Sequence, residues 1–351
     1  MIDEVVVDWF CLISSKSIGP KTFWAMMRNY KTAKESLRHV AEPFPRDRAI
    51  KILKSMNCGV VLANEPTFPK LLKRSCSCPP MLFYRGDKAL LTKRKIAIIG
   101  ARNSSITGQS IAKRLAENLA GEFAIVSGLA KGIDTAVHTG ILESSSEKSA
   151  IAVLPFGFDN VYPRENSKLC EELSKGALVL TEIPNGRPVD QGAFQARNRI
   201  IALLSEAIIV VEAAVKSGTM ATAKMALDVG CEVLVVPGSP VDPRYFGSNL
   251  LIKNGATLIQ SHIDVLDALG QHQENEQLEI KYAPKQLVCS QDENSVSSKV
   301  LSMLSETPIS IDEIAAHTNM SVRALLCVLS ELEIAGHVVK YATNEVALSG
   351  K

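Results

Sequence analysis

Basic side chains follow several apolar runs in the middle of the chain, where they could bind phosphate groups. The members of this set are Arg102, Lys131, Arg197, Arg199 and Lys216. Each lies near the expected start of a helix, where free backbone N–H groups and a nearby cation together favour phosphate oxygens. Five cations from separate segments fit a chain of phosphates better than one small ligand.

Small and hydroxyl-bearing residues accompany these cations. The residues of this second set are Ser127, Gly128, Gly132, Ser217, Gly218 and Thr219. Glycine lets a ligand approach the backbone closely, and a hydroxyl donates a hydrogen bond to a phosphate oxygen. We therefore expect both sets together to form a phosphate-binding surface.

The residue patterns of several catalytic sites are missing from the same segments. A dinucleotide fingerprint would need a second glycine where Arg102 stands, and an acid where the next run ends in Ser127 and Gly128. A P-loop and paired carboxylates are also missing. Asp134 is expected to complement its helix dipole, and His138 to be a hydrogen-bonded helix residue rather than a general base. We expect a binding protein and not an enzyme.

The eight cysteines are spread over the chain without the two-residue spacing that zinc sites use. Cys76 and Cys78 form the closest pair, with a single residue between them. Reduced thiols that fill the core are the expected state. No metal and no cofactor are predicted.

The elements that must position the cations alternate between two kinds. Six β-branched runs, IAIIG, FAIVSG, AIAVL, ALVLTE, AIIVVEA and EVLVVPG, are separated by helical stretches such as Ile111 to Leu119 and Thr219 to Asp228. Continuous apolar strands between helices predict an α/β fold, a Rossmann-like, doubly wound, mostly parallel sheet covered on both faces. Ligands bind at the carboxyl ends of such strands, and this edge would gather the cations.

The flanking segments differ from this pattern. Residues 1–65 are predicted to form a small all-helical domain, and 66–269 the Rossmann-like domain with a Pro-rich connector at its start. The polar segment 270–294 is a predicted linker. Ile18, Gly19 and Pro20 mark a turn between two helices, for which an ordinary turn is favoured over a phosphate-binding hairpin.

Residues 295–351 have the element order of a winged helix-turn-helix. Its second helix would span Ser310 to His317 and its recognition helix Ser321 to Glu333. Arg323 is the single base-reading side chain at the start of that recognition helix, so direct reading of duplex sequence is doubtful. A protein-contact or vestigial role is at least as well supported.

Composition limits the function classes further. The 351 residues are 46% apolar and 22% charged, with a net charge of +2, which describes a globular protein that is not basic throughout. Any polyanion site must therefore be local. The chain begins MIDEVVVDWF, which is unlike a signal peptide, and has no apolar run of the roughly 18 residues that a membrane helix needs. A cytoplasmic protein that contacts no membrane is expected.

The motif series in this sequence resembles the DprA/Smf family of DNA-processing proteins. The motifs occur in order as AIIGARNSSITG, VSGLAKGIDTAVHTGIL, AVLPFGFDNVYPRENSKL, TEIPNGRP, ARNRIIALLS, VVEAAVKSGTMATAKMALDVG and VVPGSPVDPRYFGSNLLIKNGATLI. The resemblance implies a helical N-terminal domain, a Rossmann-like domain that binds single-stranded DNA, and a winged-helix-like C-terminal domain. It also implies loading of RecA, displacement of single-strand-binding protein, and a role in natural transformation, competence and recombination.

The resemblance assigns DNA-binding roles to both residue sets above. Lys131 stands where many members have Arg, and Pro155 and Phe156 stand where Gly and a small residue are common. A homodimer is implied near GSNLLIKNGATLI, with Leu250, Leu251 and Ile252 as contributors, although core packing explains these residues equally well.

Two rival functions follow from single parts of the chain. One is a nucleotide N-glycosidase of similar fold, but Lys224 falls near the position where its catalytic Glu would be needed. The other is a winged-helix transcription regulator, which rests on the C-terminal segment alone.

Overall fold

The six apolar runs form six parallel strands of one large sheet. A computed structural model of the protein describes residues 2–144, 148–187, 191–270, 296–305, 308–318, 320–341 and 344–349. The parallel strands are β3 Lys95–Ile99, β4 Ala124–Ser127, β5 Ala150–Leu154, β6 Leu178–Thr181, β7 Ala207–Val210 and β8 Glu232–Val235. Nearly every residue in them is buried, as expected for strands with helices on both faces.

Helices connect these strands in the doubly wound manner. They are α6 Ile106–Leu119, α7 Ile133–Glu143, α8 Ser167–Gly176, α9 Gln191–Leu204 and α10 Gly218–Asp228. Right-handed crossovers place α6, α7 and α8 on one face of the sheet, and α9 and α10 on the other. The helix contacts agree, since α6 packs on α7, α7 on α8, and α9 on α10. The predicted Rossmann-like sheet is confirmed.

Three further strands extend the sheet at its two ends. They are β1 Gly59–Leu62, β2 Met81–Gly86 and β9 Thr257–Leu258, which complete the order β1-β2-β6-β5-β4-β3-β7-β8-β9. β2 runs antiparallel to β6, with Phe83 opposite Thr181. The segment interpreted as a Pro-rich connector therefore contains β2 and α5 Lys70–Lys73, and the expectation that residues 1–65 are all helical is wrong at β1. The prolines between β1 and β2, at positions 66, 69, 79 and 80, hid these strands, because proline usually signals a loop.

The N-terminal helices pack against this end of the sheet. They are α1 Glu4–Ser14, α2 Pro20–Tyr30, α3 Ala33–Leu37 and α4 Arg46–Ser55. The rings of Phe10 and Phe83 lie 6.2 Å apart, and Trp24 Nε1 donates to the Cys78 carbonyl over 2.8 Å. Residues 1–272 form one compact unit with one hydrophobic core. The domain boundaries predicted from the sequence stay predictions.

The polypeptide after β8 closes that unit and then forms a second one. α11 Phe246–Lys253 and α12 His262–Ala268 end the first unit. The second unit, residues 273–351, contains α13 Val296–Met303, β10 Ile309–Ser310, α14 Ile311–Thr318, α15 Val322–Ile334, β11 Val338–Tyr341 and β12 Glu345–Leu348. Ser321 caps α15 by accepting from Ala324 N–H over 3.3 Å. These elements match the predicted helix-turn-helix and hairpin within one residue at the helix ends.

No described helix is long and apolar enough to cross a membrane. Among the described residues, no three His, Cys, Asp or Glu side chains are grouped so that they could bind a metal ion. The seven described cysteines are free thiols, four of them buried, and Cys289 lies outside the described residues.

Candidate nucleic-acid interface

The strand order reverses between β3 and β7, which opens a crevice at the carboxyl edge of the sheet. The chain leaves β3 toward β4 on one side, and later returns to β7 on the other side. Loops that diverge at such a point leave room for a ligand. Arg102 follows β3 and Lys216 follows β7, so these two exposed cations come from adjacent strand ends on the two sides of the crevice.

The loop after β4 is held in place by close packing against the β3 loop. Gly132 has φ +79°, and a Cβ there would overlap the carbonyl oxygens of Ala101 and Arg102. Gly128 leaves no room either, because a Cβ would meet Asp134 and the Arg197 guanidinium. Glycine is therefore needed at 132 for the two loops to approach, and at 128 for Arg197 and Asp134 to pack against the end of β4.

Asp134 is buried at the start of α7 and organises this loop. Its Oδ2 accepts hydrogen bonds from the backbone N–H of Gly128 over 3.2 Å and of Ala130 over 3.3 Å. Burial raises the pKa of Asp134, while the charge of Arg197 opposes that shift. A carboxylate in these contacts is structural, as the sequence indicated.

Arg197 differs from its prediction as a phosphate contact at a helix start. α9 begins six residues earlier, at Gln191, and Arg197 is only 5% exposed. Its Nη1 donates to the carbonyls of Gly128 and Val153, the latter over 2.7 Å. Burial lowers the pKa of Arg197 to about 10, which leaves the side chain charged at neutral pH. The guanidinium thus joins the ends of β4 and β5 and forms the floor of a pocket.

The pocket above Arg197 has a volume of about 50 Å³ and combines cations with aromatic rings. The Arg102 guanidinium lies 5.1 Å from the centroid of the Phe194 ring. Tyr162 and Phe194 meet edge to face, with centroids 6.3 Å apart and planes at 82°. Tyr162 is 55% exposed. Since bases stack on aromatic rings and phosphates bind cations, the pocket has the two kinds of group that a nucleotide needs.

Lys131 borders the same pocket and makes an exposed ion pair. Its Nζ lies 2.8 Å from Glu165 Oε1. The hydrogen bond to Glu165 raises the pKa of Lys131 and lowers that of Glu165. A phosphate at this position would compete with Glu165 for the ammonium group.

The turn after β7 is built around a hydroxyl cap. Ser217 accepts from Met220 N–H over 3.3 Å and so caps α10, while Thr219 Oγ1 donates to the Gly100 carbonyl over 2.9 Å. The Thr219 hydroxyl therefore connects the turn to the end of β3. Its donor is used in this contact and is not available to a ligand. Lys216 and Gly218 are exposed beside it.

A buried carboxylate connects the β3 loop to the β7 loop. Glu212 accepts from the Ser105 hydroxyl, from Ser105 N–H over 3.0 Å, and from the Tyr245 hydroxyl over 2.8 Å. Ser105 in turn caps α6 by accepting from Gly108 N–H over 2.8 Å. Glu212 thus fixes the loop that carries Arg102.

Four of the eleven predicted residues line the pocket: Arg102, Gly128, Lys131 and Arg197. Of the other seven, Ser127 and Arg199 make contacts elsewhere. Ser127 is fully buried and its hydroxyl donates to the Ile98 carbonyl over 2.7 Å, inside the sheet. Arg199 is two residues beyond Arg197 on α9, so it points to nearly the opposite side of the helix. It pairs there with the largely buried Glu182 at the end of β6. The structure therefore gives both residues structural contacts.

His138 was expected to be hydrogen-bonded, and this expectation is wrong: no described residue forms a hydrogen bond with its ring. His138 is fully buried in α7, and both ring nitrogens have no described hydrogen-bond partner. Burial lowers its pKa to about 3, and the charge of Arg197 acts in the same direction. His138 is therefore neutral at physiological pH.

Sequence reasoning missed Tyr162 and Phe194, which line the pocket, and Glu165, which pairs with Lys131 beside it. Tyr162 and Glu165 lie in the long loop after β5, and Phe194 lies in the first turn of a helix that was expected to start later. One signal was present: aromatic residues close to cations in sequence, as in FQAR and YPRE, are typical of a stacking surface.

The residues predicted at a dimer interface lie on α11. Leu250 is 37% exposed, Leu251 is buried, and Ile252 packs partly against the core. Phe246 on the same helix is also exposed. Leu250 is thus the residue of the three that is accessible to a partner, and the interface itself stays a prediction.

Three family models match successive parts of the chain. The model described as DNA recombination-mediator protein A matches residues 59–270, which is more than half of the chain. A DprA-like N-terminal HHH domain matches residues 3–60, and a DprA winged helix domain matches residues 289–342.

Curated relatives agree over most of the length. The DNA processing protein DprA of Bacillus subtilis is 33% identical over 269 residues, which covers 76% of this chain and 90% of the relative. The DNA processing protein DprA of Streptococcus pneumoniae is 39% identical over 199 residues, covering 57% of this chain and 70% of the relative.

Two solved structures are similar. The structure of DprA from Streptococcus pneumoniae has a TM-score of 0.60 at 35% identity, and covers 64% of this chain and 77% of that one. DprA from Helicobacter pylori, described for its single-stranded DNA binding mode, has a TM-score of 0.54 at 28% identity. It covers 62% of this chain and 98% of that one.

Proposed function

Because this chain belongs to the DprA/Smf family of DNA recombination mediators, we propose that it binds single-stranded DNA at the carboxyl edge of its central sheet. The observation that carries the proposal is the pocket in which Arg102 and Lys131 border the rings of Phe194 and Tyr162. The single-stranded DNA binding described for the Helicobacter pylori relative also supports it.

The pocket contacts separate chemical parts of a strand. Arg102 and Lys131 bind phosphates from the β3 and β4 loops, and Lys216 binds a further phosphate from the β7 loop. The rings of Phe194 and Tyr162 contact an unstacked base, which a single strand presents and a duplex does not. The protein should therefore prefer single strands and have little sequence preference.

The role is binding and not catalysis. The described buried carboxylates at this edge have structural contacts: Asp134 accepts from backbone N–H groups, Glu212 accepts from Ser105 and Tyr245, and the largely buried Glu182 pairs with Arg199. A nucleotide N-glycosidase would need an acid near Lys224, where the chain carries an exposed cation. Tests for base release from nucleotides should find none.

The partners follow from the family. The protein hands single strands to RecA, displaces single-strand-binding protein, and acts as a homodimer in the cytoplasm during transformation and recombination. Leu250 and Phe246, exposed on α11, support a partner contact there. A duplex-reading regulator is less well supported, because the exposed side chains beside Arg323 on the recognition helix are not base-reading ones: Val322, Ala324, Leu326 and Cys327.

A direct comparison of strands tests this function. Fluorescence anisotropy with a labelled thymine-only oligonucleotide should give tighter binding than the same length of duplex at equal salt. Light scattering with and without the oligonucleotide reports the dimer in the same samples. Equal affinity for both DNA forms would contradict the role of the two rings.

RecA loading needs its own measurement. RecA filament formation on strands already covered by single-strand-binding protein should speed up when this protein is added. If the rate stays unchanged while the oligonucleotide still binds, the DNA-binding role stands and the loading role is wrong.

A further inference from the structure

A second and larger cavity lies at the opposite, amino-terminal edge of the sheet. Its volume is about 370 Å³, within the range of small-ligand sites. It is bounded by the segment before α5, by the residues that lead into β3, and by the end of α9. None of the residues that line it takes part in the pocket beside Arg102.

Cations outnumber carboxylates around this cavity. Lys70, Lys93, Arg94 and Lys95 line it, together with Glu206. Arg94 pairs with Glu206 through Nη2 over 2.6 Å, and Lys93 donates to the Ser149 hydroxyl over 3.2 Å. Lys70 and Lys95 are the other two cations of the lining, and their positive charge favours an anionic ligand.

Among these residues, Lys95 gives the strongest indication of an anionic ligand, because it is only 7% exposed. Its Nζ donates to the Lys93 carbonyl over 2.6 Å, and no other hydrogen bond of this ammonium group is described. An ammonium group has three donors, and burying it without matching acceptors is costly. Burial lowers the pKa of Lys95 to about 8, with Glu206 opposing the shift. An anion in the cavity would supply the missing acceptors.

Apart from Thr67 and Thr92, the rest of the wall is apolar. Pro66, Pro69, Leu71 and Leu204 line the cavity beside the cations. Inorganic phosphate alone would gain nothing from such a wall, whereas a ligand with a flat organic part would bury it there. We propose that this cavity binds the phosphate of a nucleotide, with Lys95, Lys93 and Lys70 as the phosphate contacts and the prolines and leucines against the base or sugar.

The site is physically separate from the proposed DNA pocket. Lys95 opens β3, and Arg102 lies beyond the other end of the same strand. A five-residue strand spans roughly 15 Å at about 3.3 Å per residue, so one phosphate cannot contact both residues. A nucleotide reaches the cavity either free or as the end of a DNA strand, and experiment can separate these sources.

Titration calorimetry of the full chain with ADP, deoxyadenosine monophosphate and inorganic phosphate tests the proposal. We expect the two nucleotides to bind more tightly than phosphate, and Lys95→Met to weaken nucleotide binding about tenfold or more, the effect of losing a charged hydrogen bond. Nucleotide bound in the DNA pocket would depend on Arg102, so the part of nucleotide binding that depends on Lys95 should persist in Arg102→Ala combined with Lys216→Ala, which separates the two sites.

Controls keep the result interpretable. Methionine has a similar length and no charge to bury, so Lys95→Met should melt at the parent's temperature or higher. Should it not fold, Lys70→Gln with Lys93→Gln tests the same site from its rim. If the Arg102→Ala, Lys216→Ala variant loses oligonucleotide binding further when Lys95→Met is added, the occupant is a strand end. Unchanged nucleotide binding in both lysine variants, or no nucleotide binding by the parent, overturns the proposal.

Discussion

The combined substitution Arg102→Ala and Lys216→Ala gives a quantitative test of the DNA pocket. For single strands, the logarithm of affinity falls with the logarithm of salt by roughly 0.7 per phosphate contact. Three cations of the predicted set are exposed, Arg102, Lys131 and Lys216, so we expect a slope of about −2.1 from them. Affinity should then fall roughly 20-fold between 50 and 200 mM salt.

The double variant keeps Lys131 alone of these three cations. Its slope should be about −0.7, which corresponds to a roughly threefold loss of affinity over the same salt range. If all five predicted cations contacted phosphates, the parent slope would be about −3.5 and the loss roughly 130-fold. The parent's salt slope therefore shows whether Arg197 and Arg199 contact phosphates or keep the buried contacts that the structure gives them.

The assay is anisotropy with a labelled thymine-only oligonucleotide at several salt concentrations. A matched control is Lys148→Ala with Lys175→Ala, which removes two exposed cations next to the starts of β5 and β6, at the other edge of the sheet. Its slope should equal that of the parent. A double variant at the crevice with the parent's slope would refute the assignment of Arg102 and Lys216, and a parent slope near −3.5 would refute the structural assignment of the α9 arginines.

Three further substitutions test single groups. Phe194→Ala should lower affinity for the thymine oligonucleotide by about tenfold or more without changing the salt slope, because stacking releases no counterions; an altered slope would contradict this. Arg199→Met leaves Glu182 buried without its cation, so urea unfolding should show a loss of about 3 kcal/mol, while the folded variant keeps the parent's DNA affinity. His138 is neutral when folded, with a pKa of about 3 against 6.5 unfolded, so the parent loses stability as pH falls below 6.5. That loss is about 2 kcal/mol at pH 5, and His138→Leu should lack it in urea unfolding across pH; equal pH dependence would refute the buried neutral state.

Much of the fold could be predicted because its signal is local. A strand buried on both faces reads as a continuous apolar run, and all six runs became parallel strands. Strands β1 and β2 were missed because prolines lie between them, and β2 acquires its strand partners only by pairing with residues on β1 and β6. That pairing is a tertiary contact which no local pattern records.

The site could be predicted less completely, because residue type does not determine direction. Arg197 and Arg199 are adjacent in the motif, yet a helix turns by about 200° over two residues, so they cannot share one ligand groove easily. The sequence motif thus joins one arginine that supports the pocket floor with another that pairs with Glu182. If the helix had been predicted to start at Gln191, helical periodicity would have placed Arg197 and Arg199 on different faces of it.

The net charge of +2 is the sum of two parts of the chain whose net charges have opposite signs. Residues 1–270 carry 33 Lys and Arg against 26 Asp and Glu, a balance of +7, whereas residues 271–351 carry 6 against 11, a balance of −5. A polyanion is attracted to the first part and repelled by the second. The acidic balance and the exposed Val322 and Leu326 argue against duplex binding by the recognition helix. The proposed polyanion binding therefore depends on where the topology of the first 270 residues places a few cations, and the chain's total charge gives no measure of it.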